Sequence, residues 1–393
     1  MRKKNILNKG VSLLLPILIA VAGTYSYPLM SLLMPLLALL LIYERRGKLS
    51  FHLSPPFVFL FLLLILGGAG VFWAKCPDAA IKIFATTSLT LGFSYLFISL
   101  AQELTLEQCA KYHLILKRAG VVLISLVLLQ YVLEGLGVRL FDKLGEGYMM
   151  KPTASIIGLG AFMGCALLWV YNNKILSGVT FILFCLLTYI TRNETACYGM
   201  VLAIGVFIVS YLAPFWATRI ALVSSYTCLI LTPFIFIQFS TFFKVKWVFQ
   251  HLTFFHRVIG WSFLSEKFLE SPWLGWGLGA TPYLPEEAFL AQGLPYLMHP
   301  HKSSLQAYLE LGIGGGILFA LFFASLFWMV EKYLKDRLSI AVCNATISFA
   351  FIQAEITHSL WHNHWISWVA FLTGVLMIFL KVRAAQLHVR VDH

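Results

Sequence analysis

Long apolar runs, separated by short polar segments, follow one another along most of the chain. A helix that crosses a lipid bilayer needs roughly 17–25 mostly apolar residues. The first two runs are short and separated only by TYSYP, so a single re-entrant hairpin is the alternative there. The pattern predicts an all-α polytopic membrane protein with about 12 transmembrane helices, near residues 11–25, 27–43, 56–73, 81–100, 114–133, 153–171, 175–190, 196–213, 219–239, 303–330, 339–359 and 364–380.

The composition excludes a soluble enzyme. Of the 393 residues, 60% are hydrophobic and 12% are charged, whereas soluble domains are about half apolar and a quarter charged. The seven cysteines are scattered and form no C-x-x-C pair, so they indicate neither a disulfide framework nor a zinc site. The basic N-terminal segment leads directly into further apolar runs. We therefore expect residues 1–393 to form a single integral membrane domain.

The distribution of basic residues predicts the topology. The formal net charge is +12, but the lysines and arginines lie mostly in short clusters between apolar runs, so the charge does not indicate a nucleic-acid partner. With both termini in the cytoplasm, 18 of the 29 basic residues lie on the cytoplasmic side, which agrees with the positive-inside rule. Residues 240–302 then form one long loop between transmembrane helices 9 and 10, in the periplasm of a Gram-negative cell. Such a long loop is more often functional than idle.

The loop contains the sequence HRVIGWSFLSEKFLESPWLGWGLG. Its periodicity predicts an amphipathic helix from Arg257 to Glu270 that lies on the outer membrane surface and ends before Pro272. Arg257 falls on the apolar face with Trp261, where an arginine either has an anionic partner or extends to a lipid headgroup. No predicted strand leads into GWGLG, so this segment is interpreted as a tight turn and not as a phosphate-binding loop.

Titratable residues lie at the start of the predicted tenth span, in HPHKSSLQAYLELGIGGG. A helix beginning near Ser303 places Ser303, Gln306 and Glu310 on one polar stripe of an apolar cylinder. Glu310 then lies about one and a half turns inside the membrane, where a carboxylate usually faces a protein interior or a wet cavity. His301 precedes the stripe and is suited to proton exchange near neutral pH. An interfacial histidine and a packing role for Glu310 remain alternatives.

Two further basic residues fall on the predicted outer surface. Lys82 begins the fourth span, and Arg192, in TRNETA, ends the seventh. Each is able to extend to the lipid headgroups, but basic residues are disfavoured on this side of the membrane. Together with Arg257 they indicate an anion site, and a diphosphate would suit it because arginine binds phosphate oxygens in a bidentate fork.

The segment HSLWHNHW carries three histidines. His358 and His362 are spaced so that both could bind a metal from one helix face. Only Glu355 lies close enough in sequence to add a carboxylate ligand. The third histidine is His364. The interleaved Trp361, Trp365 and Trp368 favour an interfacial aromatic belt, so no metal site is predicted.

The chain resembles the bacterial O-antigen ligases. Their signature is a histidine followed by Asn, Ser or Lys, nine arbitrary residues, a glycine, two further residues, and Gly, Thr or Tyr; here these positions are His301, Lys302, Gly312 and Gly315. TRNETA resembles the family's arginine at the outer end of a middle span, and the loop helix with its turn is similar as well. The resemblance extends over most of the chain. Lys302 replaces the commoner asparagine.

The resemblance implies a GT-C-like fold and a metal-independent, inverting glycosyltransferase of the inner membrane, without a cofactor and with its active site facing the periplasm. The donor would be an undecaprenyl-diphosphate-linked glycan, and the acceptor a sugar hydroxyl of lipid A-core. The same superfamily includes O-antigen polymerases and protein O-oligosaccharyltransferases, which remain alternatives. A secondary transporter is the alternative of a different class, but transporters place their sites near the bilayer midplane.

The resemblance also implies roles for individual residues. His301 would be the general base or would orient the acceptor hydroxyl. Arg257 and Arg192, with Lys82, would hold the diphosphate and stabilise its developing charge. Glu310 would either orient His301 or fix the tenth helix. The supporting residues are Lys302, Glu310, Gly312 and Gly315.

Overall fold

The computed structural model describes residues 14–23, 28–44, 53–135, 150–191, 193–242, 252–284 and 300–391. All regular elements in these ranges are helical, and two are short 3₁₀ turns, Val71–Trp73 and Thr281–Tyr283. The α-helices are α1 Leu14–Gly23, α2 Leu29–Glu44, α3 Pro55–Gly70, α4 Pro77–Gln102, α5 Leu106–Gly135, α6 Met150–Val170, α7 Lys174–Ile190, α8 Glu194–Leu212, α9 Pro214–Phe242, α10 Leu252–Glu270, α11 Ser303–Tyr333, α12 Arg337–Ile356 and α13 Asn363–Val391.

Every predicted span overlaps one of these helices. Among the described residues, nine helices are long and apolar enough to cross a membrane, namely α3 to α6, α8, α9 and α11 to α13. The helices α1, α2 and α7 are also apolar but shorter. The all-α polytopic class is therefore confirmed, whereas the number of spans and the outer position of the long loop stay predictions.

The chain forms two compact units. The first comprises residues 1–51, 90–205 and 363–393; in it α6 contacts α5, α7 and α13, and α13 also contacts α2 and α5. The second comprises residues 52–89 and 206–362. In the second unit α11 packs against α3, α9 and α12, and α10 packs against α9 and α11. All the predicted site residues except Arg192 belong to this second unit.

Helix α10 ends at Glu270, as predicted, and begins five residues before the predicted start. Its predicted apolar face is buried: Trp261 and Leu264 join a core cluster with Leu305 and Leu309. The apolar face of α10 therefore contacts α9 and α11 of its own unit. Neighbouring helices therefore cover the apolar face, whereas the position of α10 at the outer membrane surface stays a prediction.

A break at Gly312 divides α11 into two segments. Gly312 has φ 68° and ψ −163°, a conformation that is essentially restricted to glycine. A Cβ at this position would collide with the carbonyl oxygen of Trp273. The sequence predicted one uninterrupted span from near Ser303, because the apolar pattern continues across the break and hides it.

The first segment of α11 folds back on the second. A Cβ at Gly315 would lie 2.6 Å from the carbonyl oxygen of Ala307, although eight residues of an uninterrupted helix rise about 12 Å. The ring of Tyr308 likewise occupies the space where Gly316 lacks a side chain. Residues 313–330 contain no charged side chain and are about 27 Å long, close to the thickness of the hydrocarbon core. The second segment alone is therefore long enough to cross a membrane.

Candidate functional site

His301 is held in place through the peptide that precedes it and through its side chain. Its φ of 52° is in the left-handed region, which non-glycine residues seldom adopt. The carbonyl of the preceding residue, Pro300, accepts a hydrogen bond of 2.8 Å from the indole of Trp261. The half-buried imidazole places Nδ1 3.1 Å from the carbonyl oxygen of Thr357. Because a carbonyl only accepts, Nδ1 carries the proton and Nε2 is the basic nitrogen.

The surroundings of His301 favour its neutral form. Burial lowers the pKa of the imidazole below its usual value of 6.5, and the positive charge of Arg257 lowers it further. The hydrogen bond to Thr357 acts in the opposite direction and raises the pKa by less than burial lowers it. His301 is therefore predominantly neutral at pH 7, which is the protonation state that a general base needs.

Arg257 lies beside His301 at the end of α12. Its guanidinium donates a hydrogen bond of 3.1 Å to the carbonyl of Ile356, the residue before Thr357. The last carbonyls of a helix have no partner within the helix and carry its negative dipole end. Arg257 and His301 thus share one anchor, which is the C-terminal end of α12.

Lys302 and Glu355 form a buried ion pair next to His301. Their charged atoms, Nζ and Oε2, lie 2.7 Å apart, and both side chains are at least nine-tenths buried. The Lys302 ammonium also lies 5.3 Å from the ring centroids of Phe236 and Trp261. The Glu355 carboxylate accepts further hydrogen bonds from the backbone N–H and the hydroxyl of Ser304. The aromatic rings, the carboxylate and the hydroxyl together compensate a lysine that would be costly to bury alone.

Sequence reasoning missed the role of Glu355. In the sequence pattern, Glu355 is only a candidate metal ligand beside the neighbouring histidines. A carboxylate in the last turn of an apolar helix is nevertheless a signal, because such a group needs several donors or a cation nearby. The sequence does not reveal that Lys302, in a distant segment, supplies that cation.

Glu310 connects the loop to the first segment of α11. Its carboxylate, fully buried, accepts hydrogen bonds from the backbone N–H of Gly279 at 2.8 Å, the hydroxyl of Thr281 at 3.3 Å, the amide of Gln306 at 2.9 Å and the indole of Trp361 at 2.7 Å. In the described part of the chain, no hydrogen bond joins Glu310 to His301. Of the two roles that the sequence left open, the geometry supports fixing the helix.

The turn after α10 is built from glycines in left-handed conformations. Gly275, Gly277 and Gly279 have φ values of 69°, 90° and 71°, as expected of a tight turn. The N–H of Gly277 donates to the carbonyl of Glu310 at 3.0 Å, and the N–H of Gly279 donates to its carboxylate. The turn therefore uses these N–H groups to dock onto α11, which agrees with its interpretation as a turn and not a phosphate loop.

The remaining predicted basic residues are less closely associated with this arrangement. Lys82 is exposed on α4, one residue before Ile83, whose side chain packs against Gly279. Arg192 lies outside the described residues. The three-residue anion site therefore stays a prediction.

Two histidines of HSLWHNHW pack against each other. The rings of His358 and His362 lie nearly perpendicular to each other, with centroids 6.3 Å apart. The backbone carbonyl of His358 accepts a hydrogen bond of 3.0 Å from the hydroxyl of Ser303. His358 therefore contributes to the same helix end that anchors Arg257 and His301.

Sequence comparison relates this arrangement to known proteins. Residues 179–320 match the family described as O-antigen ligase. This part of the chain is similar to the O-antigen ligases. The matched residues include Arg257, His301, Glu310, Gly312 and Gly315, so the resemblance predicted from the sequence is confirmed for the part that carries the motif.

Related proteins occur in Rickettsia, where they are provisionally named polysaccharide ligases. The chain is 28% identical to the Rickettsia conorii protein over 271 residues, which are 65% of this chain and 64% of that protein. It is 24% identical to the Rickettsia prowazekii protein over 81% of this chain and 79% of the relative. The Rickettsia felis protein is also 24% identical, over 81% of this chain and 82% of the relative. The alignment with the first relative thus covers just under two thirds of that protein.

Proposed function

We propose that this membrane protein transfers a glycan from an undecaprenyl-diphosphate donor to a sugar hydroxyl of lipid A-core. The observation that carries the proposal is the placement of His301 and Arg257 on adjacent carbonyls at the end of α12. A base and a phosphate-binding cation side by side are what glycan transfer from a diphosphate requires. The similarity of residues 179–320 to the O-antigen ligases supports the same reaction class.

The reaction is a single displacement. The acceptor oxygen attacks the anomeric carbon of the donor glycan, and its proton passes to Nε2 of His301. The bond between the anomeric carbon and the diphosphate oxygen breaks, and undecaprenyl diphosphate leaves with the electron pair. Attack opposite the leaving group inverts the anomeric configuration. General-base assistance of this kind typically contributes about 10²–10⁴-fold to the rate.

Arg257 stabilises the negative charge that grows on the leaving diphosphate. Its planar guanidinium presents several donors, so it is able to keep its bond to the Ile356 carbonyl while it binds a phosphate oxygen. Arg192 and Lys82 are proposed to bind the same diphosphate. The charges that the reaction needs are all supplied by protein side chains in this scheme, and it involves no cofactor.

The proposal places the site at the periplasmic face of the inner membrane, within the loop of residues 240–302. Both substrates are lipid-anchored there, so they meet the protein at the membrane boundary. The distribution of basic residues supports this topology. The acceptor distinguishes the ligase from an O-antigen polymerase, which would use a second lipid-linked glycan.

Two experiments test the proposal. Purified protein in detergent or nanodiscs is mixed with an undecaprenyl-diphosphate-linked glycan and lipid A-core, and the glycolipid product is followed by gel and mass spectrometry. Absence of transfer by the folded protein would refute the proposed reaction. A deletion strain is then analysed for lipopolysaccharide. Unattached long lipid-linked chains would indicate a lost ligase, whereas cores bearing one repeat unit would indicate a lost polymerase.

A further inference from the structure

The ends of α11 and α12 hold each other in the second unit. Lys302 occupies the N-cap position of α11 but provides no side-chain cap. The Glu355 carboxylate, from the last turn of α12, instead accepts from the N–H of Ser304 at 3.1 Å and from its hydroxyl. A carboxylate at a helix N-terminus satisfies free N–H groups and interacts favourably with the helix dipole. Glu355 thus caps α11 from a different helix.

The donors at the start of α11 satisfy the end of α12 in return. Nδ1 of His301 donates to the Thr357 carbonyl, and the hydroxyl of Ser303 donates to the His358 carbonyl. Such carbonyls at a helix end need partners from outside the helix. Since each helix end supplies the groups that the other lacks, a displacement at either end disturbs both.

We propose that Glu355 is a positioning residue of the transfer site, acting through Lys302 and Ser304 on the end of α12 that orients His301 and Arg257. The inference rests on the proposed function. Glu355 does not touch the reacting atoms in this scheme. It fixes the relative placement of α11 and α12, and the carbonyls of α12 in turn fix the base and the phosphate-binding guanidinium.

Replacing Glu355 isolates this role. Glu355→Gln keeps the shape of the side chain but removes the charge that compensates Lys302. Its amide group also faces donors of Lys302 or Ser304, from which it is unable to accept a hydrogen bond. The end of α12 is then expected to shift relative to α11. A shift of about 1 Å in a catalytic group is able to cost on the order of 100-fold in rate. Glu355→Asp restores the charge on a shorter side chain and should recover part of the loss.

A matched control exists at the opposite end of α11. Glu331 pairs with Arg219 at 2.8 Å, and both side chains are partly exposed. Glu331→Gln removes the same charge from an ion pair of the same unit without involving α12. Its kcat should equal that of the unaltered protein.

The experiment combines turnover with a readout that needs no substrate. Transfer from the purified lipid-linked glycan gives kcat per folded molecule, with folding verified by size exclusion and thermal midpoint. The rate at which diethylpyrocarbonate modifies His301, read by peptide mass spectrometry, reports the surroundings of the imidazole. We expect Glu355→Gln to lower kcat about 10- to 100-fold and to change the modification rate, with partial recovery of both in Glu355→Asp.

Folded Glu355→Gln protein with unaltered kcat and an unaltered His301 modification rate would overturn the inference. If Glu355→Gln does not fold, Lys302→Met/Glu355→Gln replaces it, because the double variant leaves no buried charge unpaired. Reduced kcat in that variant supports the inference, and normal kcat overturns it. If the unaltered protein transfers no glycan, the proposed function fails, and the modification rate of His301 still decides whether Glu355 positions that residue.

Discussion

Arg257 and His301 donate hydrogen bonds to the carbonyls of adjacent residues, Ile356 and Thr357. The two side chains come from the loop helix and from the segment that precedes α11, yet one helix end sets the spacing between them. Burial and the neighbouring guanidinium both lower the pKa of the imidazole. The same relationship therefore places a cation beside the base and keeps the base neutral.

Removing the imidazole tests the proposed base directly. We expect His301→Ala to abolish transfer while donor binding persists, because phosphate binding is assigned to Arg257. Transfer from a lipid-linked glycan and binding of the donor are measured on the same preparation. His388→Ala, which alters a histidine of the first unit, serves as the control. Turnover by His301→Ala near the unaltered rate across neutral pH would show that the histidine has another role.

The pH dependence of transfer follows from the lowered pKa of His301. A general base acts when it is neutral, so activity is lost only as the pH falls through the pKa of the imidazole. Because that pKa lies below 6.5, kcat/KM should keep more than half of its plateau value at pH 6.5 and decline further at lower pH. Arg257→Gln removes a charge that lowers the pKa, so the decline of its residual activity should move to higher pH. A decline in the unaltered protein centred above pH 6.5 would contradict this prediction.

The planar shape of the guanidinium predicts that a positive charge alone is not sufficient at position 257. Arg257→Ala should lose most transfer, and Arg257→Lys should recover little of it, because an ammonium lacks the planar fork that binds a phosphate and the Ile356 carbonyl together. Donor affinity and kcat are measured for both variants, with Lys267→Ala on the same helix as the control. Full activity of Arg257→Ala would remove this residue from the mechanism.

The sequence predicted the helices well because their signal is local. A run of apolar residues long enough to cross a bilayer indicates a helix without knowledge of its neighbours, and Pro272 marks the end of α10. The break at Gly312 has no such signal. It depends on the close approach of Trp273 from another segment, and a glycine within an apolar run is equally compatible with an uninterrupted helix.

The site was predictable only in part, for the same reason. His301 and Arg257 stand out as titratable residues in apolar surroundings, so each is recognisable alone. Their common anchor on Ile356 and Thr357 involves backbone carbonyls, which carry no sequence signal. The partnership of Lys302 with Glu355 likewise depends on how α11 and α12 meet. Sequence therefore identified candidates, and the tertiary contacts supplied the relations between them.

Because of the break in α11, we expect a single methyl group added at Gly312 to destabilise the folded protein strongly. Gly312→Ala places a side chain in a backbone region that costs about 1–3 kcal/mol for non-glycine residues, and it also collides with the Trp273 carbonyl. We expect a large fall in thermal midpoint or in the yield of folded protein. Gly205→Ala is the control, because the added methyl group would meet no atom within 4 Å beyond its own stretch of helix backbone. Equal stability of the two variants would show that the chain does not need the break.

The buried carboxylate of Glu310 predicts that its replacement lowers the stability of the folded protein, apart from any effect on the reaction. Each of its oxygens accepts two hydrogen bonds; Oε2 accepts from Gly279 and Trp361. In Glu310→Gln the new amide group faces two of the four donors and is unable to accept from either. Each buried donor left without a partner costs about 1–3 kcal/mol, so the thermal midpoint in detergent should fall markedly.

The matched control for Glu310 is Glu270→Gln. Glu270 pairs with Lys267 at 2.6 Å, but about half of its side chain is exposed, and ion pairs of this kind contribute about 0–1 kcal/mol. Its loss should hardly change the thermal midpoint. Because Glu310 does not contact His301 in the described structure, folded Glu310→Gln protein at low temperature should retain an unaltered pH profile even where kcat is reduced. A pH profile displaced from that of the unaltered protein would instead place Glu310 in electrostatic contact with the base.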